Sequence, residues 1–267
     1  MKRDDLLSIK EFSKFTGIKQ STLRYYDEIG LFYPVLRGEN NYRYYSAQQI
    51  ITVNLINVLA SLDIPRKKII KMANDRNPDD ILQLLSEQEE ILTAQIRRIS
   101  ESHSIIQTFR KLIEEGNRAT EGEICKCFVP AMSVSMGPEN NFSKDAQFYP
   151  SFVAYCDYTK DLHVNLSYPI GGYYASIDDL MQNPSQPSNF FSITPDGTAK
   201  KPAGDYLIGY HRGYYGDMGD LPENLYDYAK EKNLSLKGPI YAIYLHDEIT
   251  SAKPDEYLVQ ISVLIEK

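Results

Sequence analysis

Between Pro78 and Glu115 the residue pairs Leu84/Leu85, Ile91/Leu92, Arg98/Ile99, Ile105/Ile106 and Leu112/Ile113 recur every seven positions, all apolar except Arg98. A seven-residue seam carried this far is the pattern of a coiled coil rather than of a helix lying on one globule. Gln88, Gln95 and Ser102 stand half a heptad away, so the seam is mixed. An apolar seam of this length needs a cover. A second copy of the chain is the simplest one and predicts a homodimer; the alternative is packing against the chain's own C-terminal part. A long helix in mid-chain also forces separate modules on its two sides.

The first module reads as helix, turn, helix. Ser8 with Glu11 fits a capping box, and Ile9, Phe12 and Phe15 give the first helix an apolar face. Thr16-Gly17 breaks it. A second helix runs from about Lys19 to Glu28 with Leu23 inward. Next, Gly38-Glu39-Asn40-Asn41 is turn chemistry between two short extended arms, a hairpin wing. Ser46 is placed to cap a third helix, Pro65 opens a fourth, and Asn77-Pro78 starts the long one.

Charge is uneven. Residues 1–75 carry 12 Lys/Arg against 8 Asp/Glu, while the rest of the 267 residues carry 17 against 28. A basic module on an acidic chain fits a polyanionic partner. Lys19, Arg24, Arg37 and Arg43 suit phosphate contacts, and Tyr25, Tyr42 and Tyr44 can donate hydroxyl protons to phosphate oxygens. Ser21 and Thr22, at the start of the second helix, are short donors that can approach base edges. Tyr26 is assigned to packing, and Asp27 and Glu28 to solvent or local bonds.

After a polar break at Gly116–Gly122 the pattern changes to short strands and turns. "CKCFVPAMSVSM", "LHVNLSYPI", "GDYLIGYHRG", "PIYAIYLHD" and "EYLVQISVLI" read as strands, and Phe148–Tyr155 and Pro222–Lys232 as helices. The expected architecture is α+β: a winged helix-turn-helix over 1–75, a coiled-coil helix over 76–116 and an α+β domain over 117–267. No apolar run is long enough to span a bilayer, and there is no signal-peptide pattern. Cys125, Cys127 and Cys156 read as reduced thiols in a cytoplasmic protein, and Cys125 and Cys127 as buried structural cysteines. Two thiols without a histidine do not complete a zinc site. No cofactor or metal is expected.

The segment "TLRYYDEIGLFYPVLRGENNYRYYS" resembles the MerR family of transcription regulators, which carries R-Y-Y-x-x-x-G-L followed by a wing with Y-R-Y-Y. The resemblance covers about 115 residues. More loosely, "GPEN", "FSITPDG", "DYLIGY" and "EYLVQISVLIEK" resemble the GyrI-like ligand-binding domain of the family's multidrug-sensing branch. This resemblance implies double-stranded promoter DNA and RNA polymerase as partners. It also implies a homodimer across an antiparallel coiled coil, and activation of multidrug-resistance-type genes by distorting a promoter when a small lipophilic aromatic ligand, expected to be a cation, binds.

The ligand site is expected among tyrosines, 15 of which lie after residue 117. Aromatic rings face cations favourably, by roughly 0.5–2 kcal/mol each. By position, Tyr149, Tyr206, Tyr210 and Tyr257 resemble the drug-contacting residues of that branch, and Tyr168 and Tyr241 follow from strand position. The branch also carries a buried glutamate just after a strand tyrosine; here Ala242 follows Tyr241. Either the rings and acids such as Asp157 or Asp161 suffice for a cation, or the ligand differs. Two other functions are consistent with the residues. One is a small-molecule hydrolase using His163, His211, His246 or Glu248, although no nucleophile–base spacing is recognisable. The other is a repressor whose tail binds a protein.

Overall fold

The computed structural model describes residues 6–62, 64–75, 77–140, 142, 148–161 and 164–266. The chain divides into two compact units, residues 1–96 and 97–267, so the division falls inside the long helix.

In the first unit, β1 (Leu7–Ser8) leads into α1 (Ile9–Thr16), followed by α2 (Gln20–Glu28), β2 (Leu36–Arg37), β3 (Arg43–Tyr45), α3 (Gln49–Ser61), α4 (Arg66–Asp75) and α5 (Pro78–Gly116). The capping box forms: Ser8 Oγ accepts the Glu11 N–H and the Glu11 carboxylate accepts the Ser8 N–H. Gly17, at φ 71°, ends α1 in the left-handed conformation that glycine adopts without strain. The wing pairs Leu36 with Tyr44 and Arg37 with Arg43, and β3 pairs on its other side with β1. Phe12, Leu23, Val53, Ile56 and Ile69 are fully buried, and the Tyr45 ring packs against both Phe12 and Phe32, with centroids 4.4 and 5.8 Å away, while those two rings lie 6.0 Å from each other. Ser46 differs from expectation. Its side chain caps nothing; α3 begins at Gln49, whose side-chain oxygen instead accepts the Ser46 N–H at 3.0 Å.

Helix α5 spans 39 residues. Asn77 Oδ1 accepts the Asp79 N–H at 2.9 Å and ties off its first turn. The two ends of its seam are covered differently from its middle. Leu84 is buried in the core of the first unit, and Leu112 packs on that of the second. Ile91, Ile99 and Ile106 are 48%, 68% and 66% exposed.

The second unit adds β4 (Ile124–Val129), β5 (Met132–Glu139), α6 (Phe148–Asp161), β6 (Ile170–Tyr174), α7 (Ile177–Gln182), β7 (Asn189–Ile193), β8 (Ala199–Lys201), β9 (Gly204–Arg212), α8 (Leu221–Glu231), β10 (Leu236–His246) and β11 (Leu258–Ile265). Its strands form one antiparallel sheet in the order β4-β9-β11-β10-β6-β7-β5-β8. Period-two alternation sorts the side chains. Leu207, Ile240, Ala242, Val259 and Ile261 join Leu180, Leu221 and Leu225 of α7 and α8 in one core cluster. Tyr206, Ile208, Tyr210, Tyr241, Ile243 and Phe191 form the other. Gly171 keeps β6 close to β10, since a Cβ there would lie 2.6 Å from the Ala242 carbonyl oxygen and from the Phe191 ring.

Two expectations shift. The strand expected over Leu162–Ile170 is not present: residues 162 and 163 lie outside the described residues, 164–169 form turns, and β6 starts at Ile170. Helix α6 runs six residues past its expected end at Tyr155. No helix among the described residues is long and apolar enough to cross a membrane.

Candidate nucleic-acid interface and effector face

Helix α2 turns Lys19, Ser21, Arg24, Tyr25 and Glu28 to solvent, Thr22 is half-buried, and Leu23, Tyr26 and Asp27 face inward. Tyr26 packs as expected and donates its hydroxyl to Asn57 Oδ1 at 3.3 Å. Tyr25 is held at the surface by Arg66. The guanidinium donates to the Tyr25 hydroxyl oxygen at 2.7 Å and lies 5.5 Å from the ring centroid. The hydroxyl proton of Tyr25 is thereby left to point outward, beside a cation that the sequence reading did not single out. On the wing, Tyr42 is exposed and Tyr44 half-buried.

Asp27 is a correction with consequences. Expected to face solvent or to bond locally, its side chain is 1% exposed, and both carboxylate oxygens are engaged by residues across the hairpin. Arg37 Nη2 reaches them at 2.7 Å, and Arg43 Nε donates to Oδ2 at 2.6 Å. A buried carboxylate requires such partners, because an unpaired one costs several kcal/mol. The wing arginines expected to meet phosphate thus first fasten the wing to α2. Their side chains remain 45% and 18% exposed, and the cluster keeps one surplus positive charge.

In the second unit the structure gathers Tyr206, Tyr210 and Tyr241 on one face of the sheet. Tyr257 instead lies in a ring cluster with Tyr214 and Tyr215, Tyr168 is buried in the turn before β6, and the side chain of Tyr149, in the first turn of α6, lies outside the described residues. Tyr241 is boxed edge-on by Tyr173 and Phe191, each with its centroid 5.5 Å away. Over this face lies the ammonium of Lys201, 4.8 Å from the Tyr206 ring centroid and 4.9 Å from that of Tyr241. Lys201 sits on β8, yet it touches β9, β10 and β11 at the other end of the strand order, so the sheet curls. Its Nζ donates to Ser262 Oγ at 2.7 Å, and Ser262 donates on to the Tyr241 carbonyl at 3.2 Å. Burial lowers the Lys201 pKa to about 8, against a smaller opposing pull from Glu115. Burial also pushes the hydroxyls of Tyr206 and Tyr210 up to about 12.

Ala242 faces the opposite way. It belongs to the cluster under α7 and α8, so an acid at this position would not have met Tyr241. Gln260 stands mid-face, hydrogen-bonded to Tyr210 and donating to the Glu115 carboxylate at the end of α5. Cys127, expected to be buried, is exposed on the edge strand β4, with Cys125 half-buried; burial raises both thiol pKa values.

The sequence matches the family described as "MerR family regulatory protein" over residues 8–45, the span that holds α1, α2 and the wing. Residues 8–45 form a MerR-family regulatory module. The chain is similar to the Multidrug-efflux transporter 2 regulator of Bacillus subtilis (strain 168), 26% identical over 244 residues, covering 90% of this chain and 89% of that one. It is also similar to the Multidrug-efflux transporter 1 regulator of the same organism, 24% identical over 281 residues, covering 98% and 99%. Among solved structures, the EcmrR–DNA complex determined by cryo-EM aligns over 98% of this chain and 100% of that chain at 17% identity, with a TM-score of 0.41.

Beside the MerR module, the residues considered for hydrolysis are dispersed. His163 lies outside the described residues. His211 has Asp217 at 3.7 Å and Glu121 at 4.0 Å, and Glu248 accepts the Tyr215 hydroxyl. Among the described residues, no hydrogen bond joins His211, His246 or Glu248 to a serine, threonine or cysteine, and no group of three or more His, Cys, Asp or Glu is placed to hold a metal ion.

Proposed function

We propose that the chain is a dimeric transcription activator, not an enzyme, that binds promoter DNA through residues 1–75 and dimerises through residues 76–116. Residues 117–267 respond to a small lipophilic aromatic compound. The observation that carries this reading is the exposed polar face of α2 beside a wing fastened to the same helix through Asp27. Ser21 and Thr22 approach base edges, and Lys19, Arg24, Tyr25, Tyr42 and Tyr44 approach phosphates. Arg37 and Arg43 set the wing and lend it charge. The names of the two Bacillus relatives support efflux-type genes as targets. Activation would act with RNA polymerase by bending the promoter, which costs on the order of 1–6 kcal/mol and is offset by added contacts. The effector face, built on Tyr206, Tyr210 and Tyr241, is proposed as the ligand site. The site of action is the cytoplasm, where promoter and polymerase are found.

A gel shift with the chain's own upstream promoter region, paired with in vitro transcription over a panel of lipophilic aromatics, tests the reading. Absence of binding at low salt would end it. Arg24→Ala should weaken binding to all sequences alike and reduce the slope of log K against log salt by about one. An unchanged slope would take Arg24 off the phosphate. Dimerisation is tested separately. Ile99→Glu puts a charge into the exposed middle of the α5 seam. Sedimentation should then show monomer, and operator affinity should fall more than about tenfold because two modules no longer act together. A dimer of wild-type strength would mean the seam is not the interface.

A further inference from the structure

The aromatic face of the second unit already contains a cation. We propose that Lys201 sets the charge preference of the effector site, so that the site takes flat aromatic anions, carboxylates or phenolates, and rejects cations. This rests on the reading of the second unit as a ligand sensor.

Lys201 is 5% exposed, and the two rings nearest its ammonium, Tyr206 and Tyr241, are 0% and 3% exposed. Ser262 accepts one of its protons. The rest of the ammonium faces ring surfaces, and no carboxylate among the described residues forms an ion pair with it. Ring faces attract a cation but do not neutralise it. The groups that act on it from the surrounding elements are Tyr206 of β9, Tyr241 of β10, Ser262 of β11, Cys127 of β4 and, from farther off, Glu115 of α5. An incoming anion would supply the missing counter-charge and stack a ring against Tyr173, Tyr241 or Phe191. An incoming cation would meet a like charge in a poorly solvated site, a penalty on the order of a hundredfold in affinity at about 5 Å.

Entry would be at the sheet edge. β8 is an outermost strand of three residues, paired only with β5 through Met132, Ser133 and Val134. Met132 and Met136 line the same cluster, and methionine repacks more readily than branched side chains.

The test uses the full-length chain and two aromatic ions of similar shape and opposite charge, 2-naphthoate and 2-naphthyltrimethylammonium, by calorimetry and thermal shift at pH 7. Wild type should bind naphthoate at least tenfold more tightly than the ammonium probe. Lys201→Met should lose that discrimination, and Lys201→Arg should keep it. Raising the pH from 7 to 9.5 should weaken naphthoate binding to wild type as Lys201 gives up its proton, which keeps the proposal testable should the methionine variant fold poorly. Tighter binding of the ammonium probe by wild type would overturn the proposal, because it would make Lys201 a plug that cations displace. An unchanged ratio in Lys201→Met, or no binding of either probe, would also overturn it. The regulator reading is decided apart from these probes, by the promoter and transcription assays.

Discussion

Replacing both wing arginines, Arg37→Ala with Arg43→Ala, should destabilise the N-terminal unit by about 3–5 kcal/mol, read as a lower urea or thermal midpoint. The Asp27 side chain, 1% exposed, cannot regain water without opening the wing, so the double variant leaves a buried charge without partners. Either single variant leaves one guanidinium in place and should cost less, about 1.5–3 kcal/mol, the range for a hydrogen bond to a charged group. Adding Asp27→Leu to the double variant should return half or more of the loss, because an apolar replacement of a whole buried ion cluster is often nearly neutral. A triple variant no more stable than the double would mean that the arginine stems, through packing, hold the wing. The triple variant should still bind DNA poorly, since it lacks both the wing charge and its fastening to α2. Stability and DNA affinity thus separate in this series, which a purely structural role for the arginines would not produce.

The features legible in the sequence are the local ones. The Ser8–Glu11 capping box, the α2 face and the α5 heptads depend on residues three, four or seven apart, and they stand where the pattern puts them. Asp27 was within reach of the same reasoning. It follows Leu23 by four residues and Tyr26 by one, so helical phase turns it inward; its charge argued for solvent, and its partners lie 10 and 16 residues away across a hairpin. Strand alternation was enough to place Tyr206 and Tyr210 on one face. It could not say that β10 lies two strands from β9 or that β8 curls back over both, because strand order is decided by long-range pairing. Lys201 was illegible for that reason. A lysine beside a proline near a turn reads as solvated, and only the register Val134–Ala199, Met132–Lys201 turns it inward. Ala242 follows Tyr241 and therefore lies on the other face of the sheet, because one residue of strand phase moves a side chain across it.

Lys201→Met should make the protein more stable at pH 7, by about 1–2 kcal/mol. A pKa lowered from 10.5 to about 8 corresponds to a folded-state penalty on the order of 3 kcal/mol for the charged form, and the two ring contacts, at about 0.5–2 kcal/mol each, offset part of it. The sign follows from proton linkage. Below about pH 8 the lysine is charged in both states and the folded protein bears the whole penalty. Between about 8 and 10.5 the unfolded chain keeps a proton that the folded one has released, so wild-type stability gains with rising pH. The advantage of the methionine variant should therefore shrink over that window and vanish above it. Tyrosine ionisation, which lowers stability in alkali, is common to both proteins and cancels in the comparison. Ser262 does not become an orphan in the variant, since its hydroxyl still reaches the Tyr241 carbonyl at 3.2 Å. Urea titrations of both proteins at pH 7, 8.5 and 10.5 decide the matter: a methionine variant less stable at pH 7 would mean that the rings and Ser262 more than repay the burial. A variant that gains stability while losing its preference for anions would separate what the fold needs from what the site does, because a core selected for packing alone has no use for an ammonium at that position.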